Sequence, residues 1–171
     1  SEQVRSEIQH HYPKVDSQKL HLVRNGIDLD HFSPPSHHDR LVARQLLGLN
    51  AKAPVLLFVG SGFERKGLQL LLQTCVRLPQ YQLMVVGQDK QLQRYQTACK
   101  QWGIDGRVKF LGVMSDVRPA YRAADVLVHP AWYDPAPNVV LEAMAMGLPV
   151  ITSQQCGNKE LITEGINGFV L

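Results

Sequence analysis

The chain has 171 residues, of which 44% are hydrophobic and 19% charged, so it can bury a core and has the composition of one soluble globular domain. Its 18 Lys and Arg against 15 Asp and Glu give a net charge of +3 without a basic tail or stripe, which argues against a nucleic-acid partner. No apolar run approaches the roughly 20 residues of a membrane-spanning helix, and the first residues lack both a signal-peptide core and a starting Met. We therefore expect a cytoplasmic chain excised from something longer, whose three cysteines are free thiols.

The first 38 residues are predicted to be a linker rather than part of a core. They include a short predicted strand at residues 20–23 and end near the break at Pro34-Pro35. Helical periodicity begins at residue 39 and continues to 48. Residues 39–171 are therefore predicted to form one domain.

From residue 54 onward, short apolar runs alternate with stretches of helical periodicity. Strands are predicted at residues 55–59, 81–86, 108–111, 126–128 and 149–152. Helices are predicted at residues 67–78, 89–102, 117–124 and 138–146, with a helical turn at 159–163. Strands that are apolar throughout are buried on both faces, and regular β-α alternation predicts parallel strands with right-handed crossovers. The predicted fold class is α/β, a Rossmann-like doubly wound parallel sheet, in which ligands bind beyond the carboxyl ends of the strands.

A glycine-rich segment follows the first of these strands, where such a ligand would bind. Gly60 and Gly62, on either side of Ser61, allow close approach to the backbone, and the next helix offers unpaired N–H groups to an anion. Arg65 and Lys66 add the charge that a diphosphate requires, Arg as a planar fork and Lys as a point charge. The spacing matches neither a Walker loop nor GxGxxG. The alternative is a glycine-rich turn with two solvated cations.

Two carboxylates flank the start of a later predicted helix. Asp134 precedes the helix that begins near Asn138, and Glu142 lies in its second turn. Both can face one pocket at the helix N-terminus, where paired carboxylate oxygens suit the vicinal hydroxyls of a sugar or ribose. The alternative is an N-cap Asp and a solvated helical Glu.

Seven motifs occur in order over residues 20–171. They are Asn25-Gly26-Ile27-Asp28, Gly60 with Arg65-Lys66-Gly67, Val86-Gly87-Gln88-Asp89-Lys90, Val108-Lys109-Phe110-Leu111-Gly112, Ala124-Asp125-Val126-Leu127-Val128-His129-Pro130, the acid-x7-Glu element from Asp134 to Glu142, and Gly147-Leu148-Pro149-Val150. This set resembles the C-terminal, donor-binding domain of a retaining glycosyltransferase of family 4, one half of a GT-B fold. Within that family the Gly-Ser-x-Phe-x-Arg-Lys-Gly form most resembles the lipopolysaccharide core glucosyltransferase I group.

The resemblance implies a role for each matching position. Arg65 and Lys66 would hold the donor diphosphate and stabilise the departing nucleotide, work that a metal would otherwise do, so neither a metal nor a cofactor is implied. Asp134 would be the catalytic-site acid at the transferred sugar. The implied donor-binding positions are Gly60, Ser61 and Gly62 at the phosphates, Asn138 and Val139 at the helix start, Glu142 at the ribose, and Gly112 and Val113 at the rim of the base pocket.

Three positions depart from the family pattern. Asp134 stands where the family usually has Glu, so its carboxylate is one methylene short. Pro137 replaces a common Gly and has no N–H to donate. Ser61 stands where many members carry Arg, which leaves the phosphate charge mainly to the two later cations.

The implied function is transfer of a hexose, glucose from UDP-glucose by the subgroup resemblance, to a lipopolysaccharide-core or other cell-surface glycan. The implied partners are the nucleotide sugar and a glycan or glycolipid acceptor, the latter through an N-terminal domain that this sequence lacks, together with the final helices. Contact with the periphery of the inner membrane would come only through that missing half. We expect the isolated chain to bind donor weakly and to transfer nothing. The alternatives are a non-catalytic nucleotide-sugar-binding module and a sugar-nucleotide epimerase of the same fold.

Four other features carry less weight. Asp28-Leu29-Asp30 spells a metal-binding D-x-D but follows a turn in the predicted linker, so no metal role is expected. His129 ends a predicted strand and is either a packing residue or a donor in the pocket wall. Trp132 and Tyr133 either line the sugar site or pack at its rim, and Glu160 is expected on the crevice side.

Overall fold

A six-stranded sheet forms the centre of the molecule in a computed structural model that describes all 171 residues. The strands are β1 (Val55–Val59), β2 (Gln82–Val86), β3 (Val108–Gly112), β4 (Val126–His129), β5 (Val150–Thr152) and β6 (Gly168–Val170). Their order across the sheet is β3-β2-β1-β4-β5-β6, and all adjacent strands are parallel. This is the strand order of a doubly wound Rossmann sheet, so the predicted fold class is confirmed.

Six helices surround the sheet. They are α1 (Glu2–His11), α2 (His37–Leu46), α3 (Leu68–Arg77), α4 (Leu92–Gln101), α5 (Arg118–Ala123) and α6 (Asn138–Ala145), with short 3₁₀ turns at Ser17–Lys19 and Gly157–Leu161. None of the helices combines the length and the apolar character needed to cross a membrane.

Strand β1 is buried along its whole length, and its side chains alternate between two cores. Val55, Leu57 and Val59 belong to the core that also contains buried residues of α2, α5 and α6. Leu56 and Phe58 belong to the core formed with α3 and α4. Successive strand side chains point to opposite faces, so a strand covered on both faces has to be apolar at every position.

Asp125 joins α2 to the amino ends of β1 and β4. Its two carboxylate oxygens accept hydrogen bonds from Arg40 and Arg44 at 2.6 Å each, and its Oδ2 also accepts from the Val55 N–H at 2.7 Å. The nearly buried Arg44 donates in addition to the Ala123 carbonyl at 3.0 Å. These bonds give the buried Arg44 side chain its hydrogen-bond partners at the amino ends of the strands, whereas ligands are expected at the carboxyl ends.

The structure differs from the sequence-based prediction at both ends of the chain. Residues 20–23 form no strand, because the segment has no neighbouring strand and none of its residues is buried, with Val23 84% exposed. Helix α1 was not predicted, and none of its residues is buried, so its sequence carries no strong apolar stripe. Strand β6 was also not predicted, since it is only three residues long.

The first 38 residues contact the 3₁₀ turn that follows β5. The carboxylate of Glu160 in this turn accepts from the Glu2 N–H at 3.2 Å and pairs with Arg24. Helix α1 is held further by Glu7, whose carboxylate accepts from the Tyr133 hydroxyl at 2.9 Å. Glu2, Glu7 and Arg24 of the predicted linker therefore contact segments that follow the carboxyl ends of β4 and β5.

Two loops meet at the centre of this side. The β1–α3 loop (residues 60–67) and the β4–α6 loop (residues 130–137) leave the carboxyl ends of adjacent strands. The strand order reverses direction between β1 and β4, and such a reversal opens a ligand crevice in doubly wound sheets.

Candidate functional site

The β1–α3 and β4–α6 loops are tied together by close contacts. The Arg65 carbonyl accepts from the Trp132 N–H at 2.9 Å, and Arg65 Nη1 donates to the Tyr133 carbonyl at 2.6 Å. A Cβ on Gly67 would lie 2.1 Å from the Pro130 carbonyl oxygen, so only glycine permits this approach. The two loops therefore form one packed unit.

A cluster of three side chains lies between the two loops. Lys66 Nζ and His129 Nε2 lie 2.6 and 2.9 Å from Asp134 Oδ2, and the side chains of Lys66 and Asp134 are only 13% and 10% exposed. Burial alone would raise the pKa of the Asp134 carboxyl, but the hydrogen bonds from His129 and Lys66 outweigh it and lower that pKa to about 2. Asp134 is therefore an ionised acceptor at neutral pH. Its Oδ1 accepts no hydrogen bond from the chain.

His129 holds the Asp134 carboxylate from the buried side of the site. The ring is fully buried, and burial lowers the pKa of His129 even though the hydrogen bond to Asp134 favours the protonated form. A carboxylate only accepts, so the neutral ring carries its proton on Nε2, while the buried Nδ1 has no partner. The histidine is therefore not a donor exposed on the pocket wall; it is a buried residue bonded to the acid.

Gly60 lies against the Lys66 side chain. A Cβ at position 60 would lie 2.7 Å from Lys66 Cδ and 3.0 Å from its Cε. The φ angle of Gly60 is +151°, a value that residues other than glycine rarely adopt. The glycine therefore makes room for the lysine that reaches Asp134.

The start of α6 forms a second part of the site. Glu142 Oε2 accepts from the Tyr121 hydroxyl at 2.7 Å, and the same hydroxyl lies 3.4 Å from the Val139 carbonyl oxygen. The Asn138 side-chain oxygen accepts from Asn25 Nδ2 at 2.7 Å. The predicted residues Asn138, Val139 and Glu142 therefore share one helix start, and partners from distant segments hold two of their side chains.

Ser61, Gly62 and Arg65 line a cleft of about 830 Å³ between the β1–α3 loop and the segment after β2. The other lining residues are Glu64 and residues 88–91. Every lining residue is polar, charged or glycine. The lining contains two acids and two bases, so the cleft is polar and suits a polar ligand rather than an apolar one.

Gly112 and Val113 lie farther out than the other predicted residues. Gly112 ends β3, which β2 separates from β1, and its carbonyl accepts from the Gly87 N–H at 2.7 Å. Val113 is 67% exposed. These two residues therefore lie toward the outer end of the carboxyl side, away from the Lys66 and Asp134 cluster.

Two acidic features have local structural roles. Oδ1 of Asp28 accepts from the backbone N–H groups of Asp30 and His31 at 3.0 Å each, so the D-x-D sequence forms a turn. Glu160 is paired with Arg24 of the linker.

Two contacts of the site were missed by the sequence reasoning. Tyr121 and Glu142 are 21 residues apart, and Asn25 and Asn138 are 113 residues apart. No local spacing connects either pair. The only signal in the sequence was the Asn25-Gly26 turn, which marked a bend but no partner.

Comparison with known proteins places this chain in a family. The profile of the family described as "Glycosyl transferases group 1" matches residues 39–171. The chain is 33% identical over 172 residues to the lipopolysaccharide glucosyltransferase WaaG of Escherichia coli K12, over 97% of this chain and 46% of WaaG. It is 34% identical over 130 residues to the lipopolysaccharide core biosynthesis glycosyltransferase LpsE of Rhizobium meliloti 1021, over 76% of this chain and 38% of LpsE.

A solved structure agrees with these relatives. The crystal structure of Anabaena Alr3699/HepE in complex with UDP-glucose superposes with a TM-score of 0.89 and 26% identity, covering 100% of this chain and 48% of that one. The chain spans less than half the length of each of these three proteins. The profile match over residues 39–171 and the two relatives above 30% identity show that the chain belongs to the group 1 glycosyltransferases.

Proposed function

We propose that the chain is the donor-binding part of a retaining glycosyltransferase that takes glucose from UDP-glucose. The observation that carries this proposal is the position of Arg65 and Lys66 at the carboxyl end of β1, packed against the loop that contains Asp134. Glu142 lies in α6, the helix that follows the same loop. Two cations for a diphosphate and two carboxylates for hydroxyl groups are the groups that a nucleotide sugar requires.

The proposed chemistry is electrostatic. The bond between the anomeric carbon and the diphosphate oxygen breaks, and its electron pair leaves with the diphosphate. An acceptor hydroxyl oxygen bonds to the anomeric carbon on the same face of the sugar, and the hydroxyl proton passes to the departing diphosphate. Arg65 and Lys66 stabilise the negative charge of the departing nucleoside diphosphate. Arg65 is exposed, and one of its guanidinium nitrogens donates to the Tyr133 carbonyl. The other guanidinium N–H groups can donate to phosphate oxygens.

The relatives support the donor and the acceptor class. WaaG is named a lipopolysaccharide glucosyltransferase, LpsE a lipopolysaccharide core glycosyltransferase, and the HepE structure holds UDP-glucose. We therefore propose a lipopolysaccharide-core or related cell-surface glycan as acceptor, in a cytoplasmic enzyme. Binding of that acceptor, and contact with the inner membrane, are assigned to parts of the enzyme that correspond to the rest of its relatives' length.

Titration calorimetry with UDP, UDP-glucose, GDP-mannose and ADP-glucose tests this proposal. UDP and UDP-glucose are expected to bind, and the guanine and adenine nucleotides to bind more weakly. Arg65→Ala is expected to reduce the affinity for UDP without unfolding the chain, because its side chain is exposed. A chain that bound none of the four nucleotides, or that preferred GDP-mannose, would contradict the proposed donor.

Gly60→Ala is expected to weaken UDP binding by about tenfold, about 1.4 kcal/mol. The added Cβ would displace the Lys66 stem, which lies 2.7 Å away, and thereby move the ammonium that faces Asp134. Gly103→Ala is the matched control, because Gly103 also has a positive φ, +64°, but no atom lies within 4 Å of an added Cβ. Gly103→Ala should lower the free energy of unfolding without changing the affinity for UDP. Equal losses of affinity in both variants would refute displacement of the Lys66 stem as the cause.

A further inference from the structure

We propose that Tyr121 is a positioning residue for nucleotide binding, which holds the Glu142 carboxylate in the orientation that receives the ribose hydroxyls. The inference rests on the proposed function, since it assumes that a nucleotide occupies the crevice. Tyr121 would not touch the ligand, because it has no exposed surface. Its effect would be transmitted entirely through Glu142.

The hydroxyl of Tyr121 is a fixed donor. It lies 2.7 Å from Glu142 Oε2. Burial raises the pKa of the Tyr121 phenol far above its usual value, and the charge of Glu142 raises it further, so the phenol remains protonated. A protonated phenol next to a carboxylate donates to it, and a bond to a charged acceptor is among the stronger hydrogen bonds.

The ring that carries this hydroxyl has little freedom. Phe32 of the linker packs edge-on against it, with ring centroids 6.2 Å apart and an interplanar angle of 85°. Tyr121 belongs to the same core as β1 and α6 and is fully buried. A donor held by a packed ring limits the rotamers that Glu142 can adopt.

Glu142 retains one oxygen for a ligand. Its residue is only partly buried, and Oε1 accepts no hydrogen bond from the chain, whereas Oε2 is tied to Tyr121. The same arrangement occurs at Asp134, where Oδ2 is tied and Oδ1 is not. Each acid of the site thus has one oxygen fixed from the core and one that can accept from a sugar or ribose hydroxyl.

The test separates the hydroxyl of Tyr121 from the packing of its ring. Tyr121→Phe retains the ring and removes only the donor. The affinity of the chain is measured by calorimetry for UDP and for 2′,3′-dideoxy-UDP, which lacks both ribose hydroxyls. Tyr121→Phe is expected to weaken UDP binding by about tenfold, which corresponds to the loss of roughly one good hydrogen bond between Glu142 and a ribose hydroxyl. Binding of the dideoxy nucleotide should be unchanged.

Two further variants complete the design. Tyr81→Phe, just before β2 at the amino side of the sheet, should change neither affinity. In a Glu142→Ala background, Tyr121→Phe should have less effect on UDP than in the parent, because the carboxylate that Tyr121 orients is absent. Thermal unfolding of each variant checks that the fold is retained.

Two outcomes would overturn the inference. If Tyr121→Phe weakened both nucleotides equally, the residue would act through general packing, and if it weakened neither, the tether would have no role in binding. A parent chain that bound no UDP would instead refute the proposed function, and the inference would fail with it.

Discussion

Lys66→Met is expected to lower the free energy of unfolding by about 3 kcal/mol and to weaken UDP binding by about a hundredfold. Lys66 Nζ lies 2.6 Å from Asp134 Oδ2, and both side chains are nearly buried. Methionine retains the length of the stem but leaves an ionised carboxylate in a poorly solvated position with only His129 as partner. Breaking one half of a buried ion pair is far more costly than losing an exposed one.

The double variant Lys66→Met/Asp134→Asn separates stability from binding. Removing both charges should restore most of the free energy of unfolding, since no unpaired charge remains buried. The amide oxygen of the new asparagine can still accept from His129. UDP binding should stay weak, because the cation for the phosphate is absent in both variants.

Urea unfolding and calorimetry on the same preparations measure the two effects. Lys100→Met serves as control, because this lysine on α4 is exposed and far along the chain from the crevice loops. It should change neither quantity by more than a small amount. If the double variant were as unstable as the single one, the unpaired charge of Asp134 would not be the cause of the loss. If Lys66→Met bound UDP normally, Lys66 would not belong to the anion site.

The sheet and its crevice were predictable because their signals are local. The unbroken apolar run of β1 requires burial on both faces, and the glycines after it mark a turn at the carboxyl end of a parallel strand. These features depend on neighbouring residues alone. Strand β6 has no such local signal, since its three residues are defined only by pairing with β5, and it was therefore not predicted.

The division of work between Arg65 and Lys66 was not predictable. The sequence treats them as two adjacent cations, yet Arg65 is exposed and bonded to a backbone carbonyl, while Lys66 is bonded to a buried acid. This difference comes from a loop 68 residues later in the chain. His129 stayed ambiguous for a similar reason, because a distance of 2.9 Å to Asp134 cannot be read from a separation of five residues.

The departure at Asp134 has a structural counterpart. The position was predicted to be an acid at the transferred sugar, one methylene shorter than the usual Glu. In the structure the short side chain is held by Lys66 and His129 through a single oxygen. The role of Asp134 at the sugar stays a prediction, and any such role would fall to Oδ1.

Acidification is expected to remove about 2 kcal/mol of stability through Asp134 alone, between about pH 5 and pH 2. The pKa of this carboxyl falls from an ordinary value of 3.8 to about 2 on folding. A group whose pKa is lowered by folding contributes its full stability above the unfolded pKa. That contribution is lost as the pH falls through the folded pKa, because the unfolded chain takes up the proton first.

The carboxyl ¹³C resonance of Asp134, assigned by its absence in Asp134→Asn, reports this pKa directly. Asp116 provides an internal comparison, since hydrogen bonds from Arg118 also lower its pKa to about 2, although its side chain is 43% exposed. Added salt screens exposed charges more than buried ones, so it should raise the midpoint of Asp116 and leave that of Asp134 nearly unchanged. A midpoint for Asp134 near 3.8 would mean that neither Lys66 nor His129 holds the ionised carboxylate in solution, and the preformed cluster on which the binding predictions depend would be wrong.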